Sequence, residues 1–91
     1  MANRTVPYKK TGIASLPDDK PVLYRIETAG GKLNYVGTAR RGRVRERIAE
    51  HLGKIPGDTV TIEQFGTIGE ARAKEANVIK RHAPKYNKQG K

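Results

Sequence analysis

The sequence predicts a small α+β domain in which a three-stranded, mostly antiparallel sheet is flanked by helices. Three features predict it: a hairpin pattern over residues 22–37, a β-branched segment over 59–65, and two segments with apolar residues at helical spacing. The chain has 91 residues, which suffices for one small core and excludes a second folded domain. We therefore expect a single folded domain over residues 21–91 with a basic C-terminal tail, preceded by an N-terminal arm over residues 1–20.

Residues 1–20 are assigned to an arm because they show no regular apolar spacing. They contain Pro7, Gly12 and Pro17, followed by the acidic pair Asp18-Asp19. Such a composition is typical of a loosely docked segment.

Alternating apolar residues predict a hairpin with Gly30-Gly31 in a tight turn. A two-residue turn sets three cross-strand pairs, namely Thr28 with Leu33, Ile26 with Tyr35 and Tyr24 with Gly37. The two-residue period then places six residues on one face: Val22, Tyr24, Ile26, Leu33, Tyr35 and Gly37. Gly37 has a structural role in this arrangement, because it leaves space above the Tyr24 ring.

A first helix is expected over residues 43–52, ending at Gly53. Its apolar stripe is Val44, Ile48 and Leu52. Arg47 and His51 are four residues apart and lie along one border of that stripe, so this edge of the helix is cationic.

The third strand is expected over Thr59–Phe65, and a second helix from Gly69 or Glu70 to His82, before Pro84. Its apolar face comprises Ala71, Val78, Ile79 and His82. Glu75 falls in the middle of that face. A carboxylate there is costly to desolvate unless a charge, a hydrogen-bond network or a metal compensates it.

The composition points to an acidic polymer as partner. Lys and Arg number 19 against 9 Asp and Glu, a formal charge of +10. The chain has no Cys, so neither disulfides nor a Cys-type zinc site can form, and only His51 and His82 could supply imidazole. A hard ion bound by carboxylate oxygen is favoured. The sequence shows neither an apolar run long enough to span a membrane nor a signal-peptide core, so a cytoplasmic protein is expected.

Four segments together resemble the GIY-YIG nuclease family. The first two are similar to its strand motifs, Val22-Leu23-Tyr24 and Tyr35-Val36-Gly37, with ten residues between the tyrosines. Residues 44–51 resemble the stretch that carries the catalytic arginine, and residues 75–79 with 84–87 resemble the metal-binding helix and the closing asparagine. Two departures are Val-Leu in place of Gly-Ile in the first motif, and Gly42 in a slightly long link. Residues 55–57 and 84–91 further suggest the small stand-alone branch that acts on single-stranded DNA.

The resemblance implies a role for each residue of the site. Glu75 would hold a single divalent cation, Mg²⁺ or Mn²⁺, and Arg47 would neutralise charge on the phosphoryl group. Tyr24 would be the general base or proton relay, and its pKa, about 10 when free, would have to be lowered by nearby cations and the metal. Tyr35 and His51 would orient the attacking water and hydrogen-bond the phosphate.

The remaining basic residues are expected to hold DNA, through phosphates rather than by reading bases. The residues assigned to nucleic-acid binding are Arg40, Arg41, Arg43, Arg45, Lys85, Asn87 and Lys88, of which Asn87 would also brace the site. The expected partner is DNA, with single-stranded DNA as one possibility. A monomer is favoured, although the sequence does not determine the oligomeric state.

The function predicted is therefore a divalent-metal-dependent endonuclease of low sequence specificity. One alternative is a non-catalytic basic protein that binds nucleic acid at the ribosome or nucleoid. Size and charge fit it equally well, but it has no need of a carboxylate on the apolar face of a helix. Another is a domain of this fold that serves as a partner-binding module.

Overall fold

The computed structural model describes residues 3–84 and 86, and its centre is a four-stranded antiparallel sheet. The strands are β1 (Asn3–Pro7), β2 (Val22–Glu27), β3 (Leu33–Ala39) and β4 (Thr59–Gln64), in the spatial order β1-β4-β2-β3. The helices are α1 (Lys10–Ala14), α2 (Val44–Ala49) and α3 (Ile68–His82). The α+β class with an antiparallel sheet flanked by helices is confirmed.

The expectation of three strands and a loosely docked arm is corrected by the N-terminal segment. Residues 3–7 form edge strand β1, which pairs with β4 from Asn3 opposite Glu63 to Pro7 opposite Thr59. Residues beyond it are anchored too, since Ile13 and Leu16 are buried in the core. Pro7 does not break the sheet because it occupies the end of an edge strand, where a missing N–H is tolerated.

The hairpin has the predicted register where the tyrosines lie. Tyr24 is opposite Gly37 and Ile26 is opposite Tyr35. The pairing predicted nearer the turn is wrong, because an irregularity after Ile26 brings Glu27 opposite Leu33. Leu33 consequently packs on the other face of the sheet. The cause is the longer turn, in which Gly31 has a left-handed φ of 88° that a glycine adopts without strain.

The two faces of the sheet carry separate apolar cores. Tyr24, Ile26 and Ile62 lie on the face covered by α1 and α2, where Val44 and Ile48 of α2 are fully buried. Leu23 and Val36 lie on the opposite face and pack against Ala71 and Val78 of α3. β2 and β3 therefore carry apolar side chains to both faces, whereas the apolar residues of β1 and β4 lie on the first face only.

The helices agree with the sequence in place but differ at their ends. α2 ends at Ala49, three residues earlier than predicted, and turns lead to Gly53 at φ 85°. α3 begins at Ile68 behind a capping box, in which Thr67 and Glu70 bond each other's backbone N–H groups. Within the described residues, none of the helices is long and apolar enough to cross a bilayer.

Candidate active site

Three rings of the predicted site form one cluster at the hairpin. The Tyr24 hydroxyl lies 2.8 Å from His51 Nε2. Ring centroids are 6.1 Å apart for Tyr24 and Tyr35, and 4.7 Å apart for Tyr35 and His51. Strand pairing places the tyrosines on one face, and the turn that ends α2 brings His51 over them.

Gly37 makes this cluster possible. A Cβ atom at position 37 would lie 2.6 Å from the Tyr24 hydroxyl and 3.0 Å from Tyr35 Cε2. The first distance is shorter than real Cβ contacts, and the second is tighter than most of them. The space expected beside Tyr24 is thus filled by the tyrosine's own hydroxyl end.

The environment of Tyr24 keeps its proton on the hydroxyl. Tyr24 is 1% exposed, and burial raises its pKa well above the ordinary value of 10.0, while Arg47 only partly opposes the rise. The surrounding cations therefore do not lower this pKa below that of free tyrosine. A general base at this position would need a lowered pKa, so the cations alone do not supply it. A tyrosine that retains its proton is a hydrogen-bond donor.

His51 is suited to accept that hydrogen bond. Burial lowers its pKa below 6.5, and the neighbouring charge of Arg47 lowers it further. A neutral imidazole has one acceptor nitrogen. Since Tyr24 keeps its hydroxyl proton, it can donate to Nε2 of neutral His51 in the tautomer that carries its own proton on Nδ1.

Glu75 projects from α3 toward the same cluster. It is half-buried, and burial raises its pKa above 4.5, with Arg72 and then Arg47 opposing the rise. Its charge in turn raises the pKa of both Tyr24 and Tyr35. Among residues 3–84 and 86, Glu75 makes no salt bridge or hydrogen bond, so its carboxylate oxygens are free to bind a ligand.

The donor set around Glu75 fits a hard divalent cation that keeps water ligands. No group of three or more His, Cys, Asp or Glu side chains with metal-binding geometry occurs in the described part of the chain. Mg²⁺ is commonly held by one or two carboxylates, with water and substrate phosphate completing its octahedron. A lone carboxylate such as Glu75, which leaves the other coordination positions to water and substrate, meets that requirement.

An arginine-rich cleft of about 250 Å³ adjoins the cluster. Its lining residues are Thr38, Ala39, Arg40, Arg43, Arg47, Ile68 and Arg72. Arg72 was not predicted from the sequence, although it lies three residues before Glu75 and therefore on the same side of the helix. The guanidinium groups of Arg72 and Arg47 together make the cleft beside Glu75 positively charged.

The other predicted nucleic-acid contacts divide into two groups. Neither Arg41 nor Arg45 lines the cleft, and Arg45 Nε instead donates a 2.7 Å hydrogen bond to the Leu16 carbonyl. That bond ties α2 to the N-terminal segment. The predictions for Lys85, Asn87 and Lys88 lie outside the described residues.

The whole fold matches solved structures of a GIY-YIG N-terminal endonuclease domain. For one of them the TM-score is 0.70 at 26% identity, covering 86% of this chain and 93% of that one. The hairpin tyrosines, the arginine on the next helix and the glutamate on α3 are the features by which the sequence resembles this family. The chain therefore belongs to the GIY-YIG family of nucleases.

The particular protein in those structures is UvrC from Thermotoga maritima, whose domain is bound to its catalytic divalent cation, magnesium. Curated relatives are UvrABC system protein C from Desulfitobacterium hafniense, 41% identical over 81 residues, and from Symbiobacterium thermophilum, 37% identical over 79. They match 80% and 76% of this chain, which spans only 13% of the length of either relative. No family model matches the chain. The small stand-alone branch is not confirmed.

Proposed function

We propose that this chain is a divalent-metal-dependent endonuclease that hydrolyses phosphodiester bonds of DNA. The observation that carries the proposal is the Tyr24–His51 hydrogen bond of 2.8 Å, beside a half-buried glutamate that has no ion-pair partner within the described residues. A protein that only binds nucleic acid has no use for a proton-transfer pair next to a free carboxylate. Membership of the GIY-YIG family and the magnesium bound by the UvrC domain support the same conclusion.

Hydrolysis requires a water oxygen to bond the phosphorus while the bond to the leaving 3′ oxygen breaks. Glu75 would hold a divalent cation, Mg²⁺ or Mn²⁺, which supplies positive charge to the scissile phosphate and the leaving oxygen. Arg47 would offer its planar donors to the phosphoryl oxygens, whose charge grows in the transition state.

The proton of the attacking water needs an acceptor, and a buried neutral tyrosine is a poor one by itself. Tyr24 can pass its own hydroxyl proton to His51 Nε2 as it takes the water's proton. The net result is an imidazolium and a regenerated tyrosine. Tyr35 packs beside both rings and would orient the water.

Phosphates flanking the scissile bond would lie in the adjoining cleft. Arg40, Arg43 and Arg72 line it, and guanidinium groups bind phosphate oxygens through paired N–H donors. Such contacts carry no base readout, so low sequence specificity follows.

Cleavage of end-labelled DNA with Mg²⁺ or Mn²⁺ tests the proposal. Wild type is compared with Glu75→Gln and Arg47→Ala, and with Asp58→Asn as a control that removes an exposed carboxylate in the loop before β4. We expect wild type and the control to cut, and Glu75→Gln to bind DNA without cutting. If all of them bind and none cuts with either metal, the enzyme proposal is wrong and the non-catalytic binding protein replaces it.

The preference for single strands stays a prediction of the sequence resemblance. Parallel reactions on single-stranded and duplex DNA of the same sequence test it. Equal rates on both would remove it without affecting the assignment of the site.

A further inference from the structure

A second basic groove, of about 290 Å³, lies along α3 on the side away from Arg72. Its lining residues are Arg25, Lys74, Asn77, Val78, Arg81 and His82. Positions 72 and 74 differ by about 200° around a helix, so α3 separates this groove from the arginine-rich cleft. None of the catalytic roles above uses it.

Two residues that line the groove, Arg25 and Lys74, pair with a buried carboxylate. Glu63 on β4 is only 7% exposed and lies beneath the helix. Lys74 Nζ lies 3.1 Å from Oε1 and 3.3 Å from Oε2, and Arg25 Nη2 lies 3.8 Å from Oε1. A buried carboxylate must be paired, and here two cations share it. The pairing holds both cations in place and leaves the trio with one surplus positive charge.

Arg81 adds a further positive charge to the same groove. It is exposed, and within the described residues it makes no hydrogen bond or ion pair. Its guanidinium therefore retains all its donors for a ligand. Lys80 precedes it in the last turn of α3, is also exposed, and does not line the groove.

We propose that this groove binds the phosphate backbone of nucleic acid at a distance from the bond being cut. The proposal rests on the proposed function, because the ligand is a more distant part of the same substrate. Arg81 and Lys74 would contact phosphate oxygens and the Asn77 amide would donate to one, while Glu63 fixes the orientation of Lys74. A strand leaving the cleft would reach the groove by crossing α3, whose width with side chains is about 10–12 Å.

Fluorescence anisotropy without divalent metal tests the proposal, because it measures binding with no cleavage. Two labelled single strands are used, one of about 20 nucleotides and one of about four, which bracket the usual site sizes. Arg81→Gln is compared with Lys80→Gln, since both remove one positive charge from adjacent positions of one helix. Arg81→Lys asks whether charge alone suffices.

On the long strand we expect Arg81→Gln to weaken binding about three- to tenfold, with Lys80→Gln within about twofold. The slope of log K against log salt should fall by about 0.7 for Arg81→Gln, as for one lost phosphate contact on a single strand. On the short strand, which fills only the cleft, Arg81→Gln and Lys80→Gln should match.

Equal effects of Arg81→Gln and Lys80→Gln on the long strand would overturn the proposal, since the groove would then act only through overall charge. An equal loss on both strand lengths would also overturn it, because the groove would not be remote from the cleft. The proposed function is tested separately: a wild type that never cleaves contradicts the nuclease but leaves the length-dependent difference in affinity intact.

Discussion

Substituting alanine for Gly37 should break the catalytic cluster by adding one carbon atom. The new Cβ would lie 2.6 Å from the Tyr24 hydroxyl and 2.7 Å from Cζ, whereas ordinary contact begins at 3.4 Å. The hydroxyl must therefore move by about 0.8 Å. Movement of that size along its hydrogen bond would stretch the 2.8 Å contact with His51 to about 3.6 Å, which is no longer a hydrogen bond.

The expected cost in the free energy of unfolding follows from these two effects. Overpacking a core typically costs about 1–3 kcal/mol, and a lost hydrogen bond costs about 0.5–1.5 kcal/mol. Together they predict a loss of about 1.5–4.5 kcal/mol, a large part of the roughly 5–15 kcal/mol that holds a domain folded. We expect cleavage to fall at least about a hundredfold in the fraction that stays folded, since a displacement near 1 Å has that effect on catalysis.

Urea unfolding and cleavage assays on Gly37→Ala measure both losses. Gly30→Ala is the matched control, because a Cβ at that turn position meets only Thr28 Oγ1, at 3.9 Å, and the residue has no positive φ. It should keep wild-type stability and activity. If Gly37→Ala is as stable and active as Gly30→Ala, Tyr24 is not held where the structure places it.

Three further predictions concern the charges of the site. Glu75→Gln should abolish metal-dependent cleavage yet raise the urea midpoint at neutral pH. Burial raises the pKa of Glu75 above 4.5 in the folded state, so ionisation of this carboxyl at neutral pH lowers the free energy of unfolding. An unchanged or lower midpoint would contradict the burial argument. Arg72→Gln should weaken DNA binding and move the acid limb of the pH–rate profile to higher pH, because Arg72 lowers the pKa of Glu75. If the limb does not move, Arg72 acts as a binding residue only. His51→Gln should flatten the dependence of stability on pH below about 6.5. Burial lowers the pKa of His51 in the folded state, so the stability that neutral His51 contributes is present above 6.5 and is lost as pH falls toward the folded value. Equal slopes of unfolding free energy against pH for both proteins, measured with urea, would refute this.

Local pattern predicted the parts of the fold that depend on local interactions. The Tyr24–Gly37 pair was predicted from alternation and a two-residue turn, and it holds because the irregularity after Ile26 offsets the longer turn; the burial of Ala71 and Val78 follows from helical spacing. The Thr67-Ile68-Gly69-Glu70 sequence also carries a capping-box signal that could have fixed the start of α3. β1 could not be found in this way, because a five-residue strand ending in proline is stabilised by its pairing with β4 and not by its own composition.

The candidate site could be predicted as a set of residues but not as a set of charge states. Motif spacing selected Tyr24, Tyr35 and His51, which the structure places in contact. Spacing carries no information about desolvation, so it gave no sign that burial raises the pKa of Tyr24. It also treated Arg45 as a phosphate ligand, although only the folded chain shows that its Nε is bonded to Leu16.

The two pKa shifts at the Tyr24–His51 pair have opposite signs, yet both favour the neutral form of the ring. Burial disfavours charge on either ring, so it holds the proton on Tyr24 and keeps His51 neutral. Arg47, the residue positioned to stabilise charge on the phosphate, further disfavours an imidazolium. Before substrate arrives the site is therefore set with its proton donor and acceptor in place, and an anionic phosphate between Arg47 and His51 would ease proton uptake by His51. The charge of Arg47 would then have a use beyond binding DNA, because proton uptake by His51 would depend on the bound phosphate.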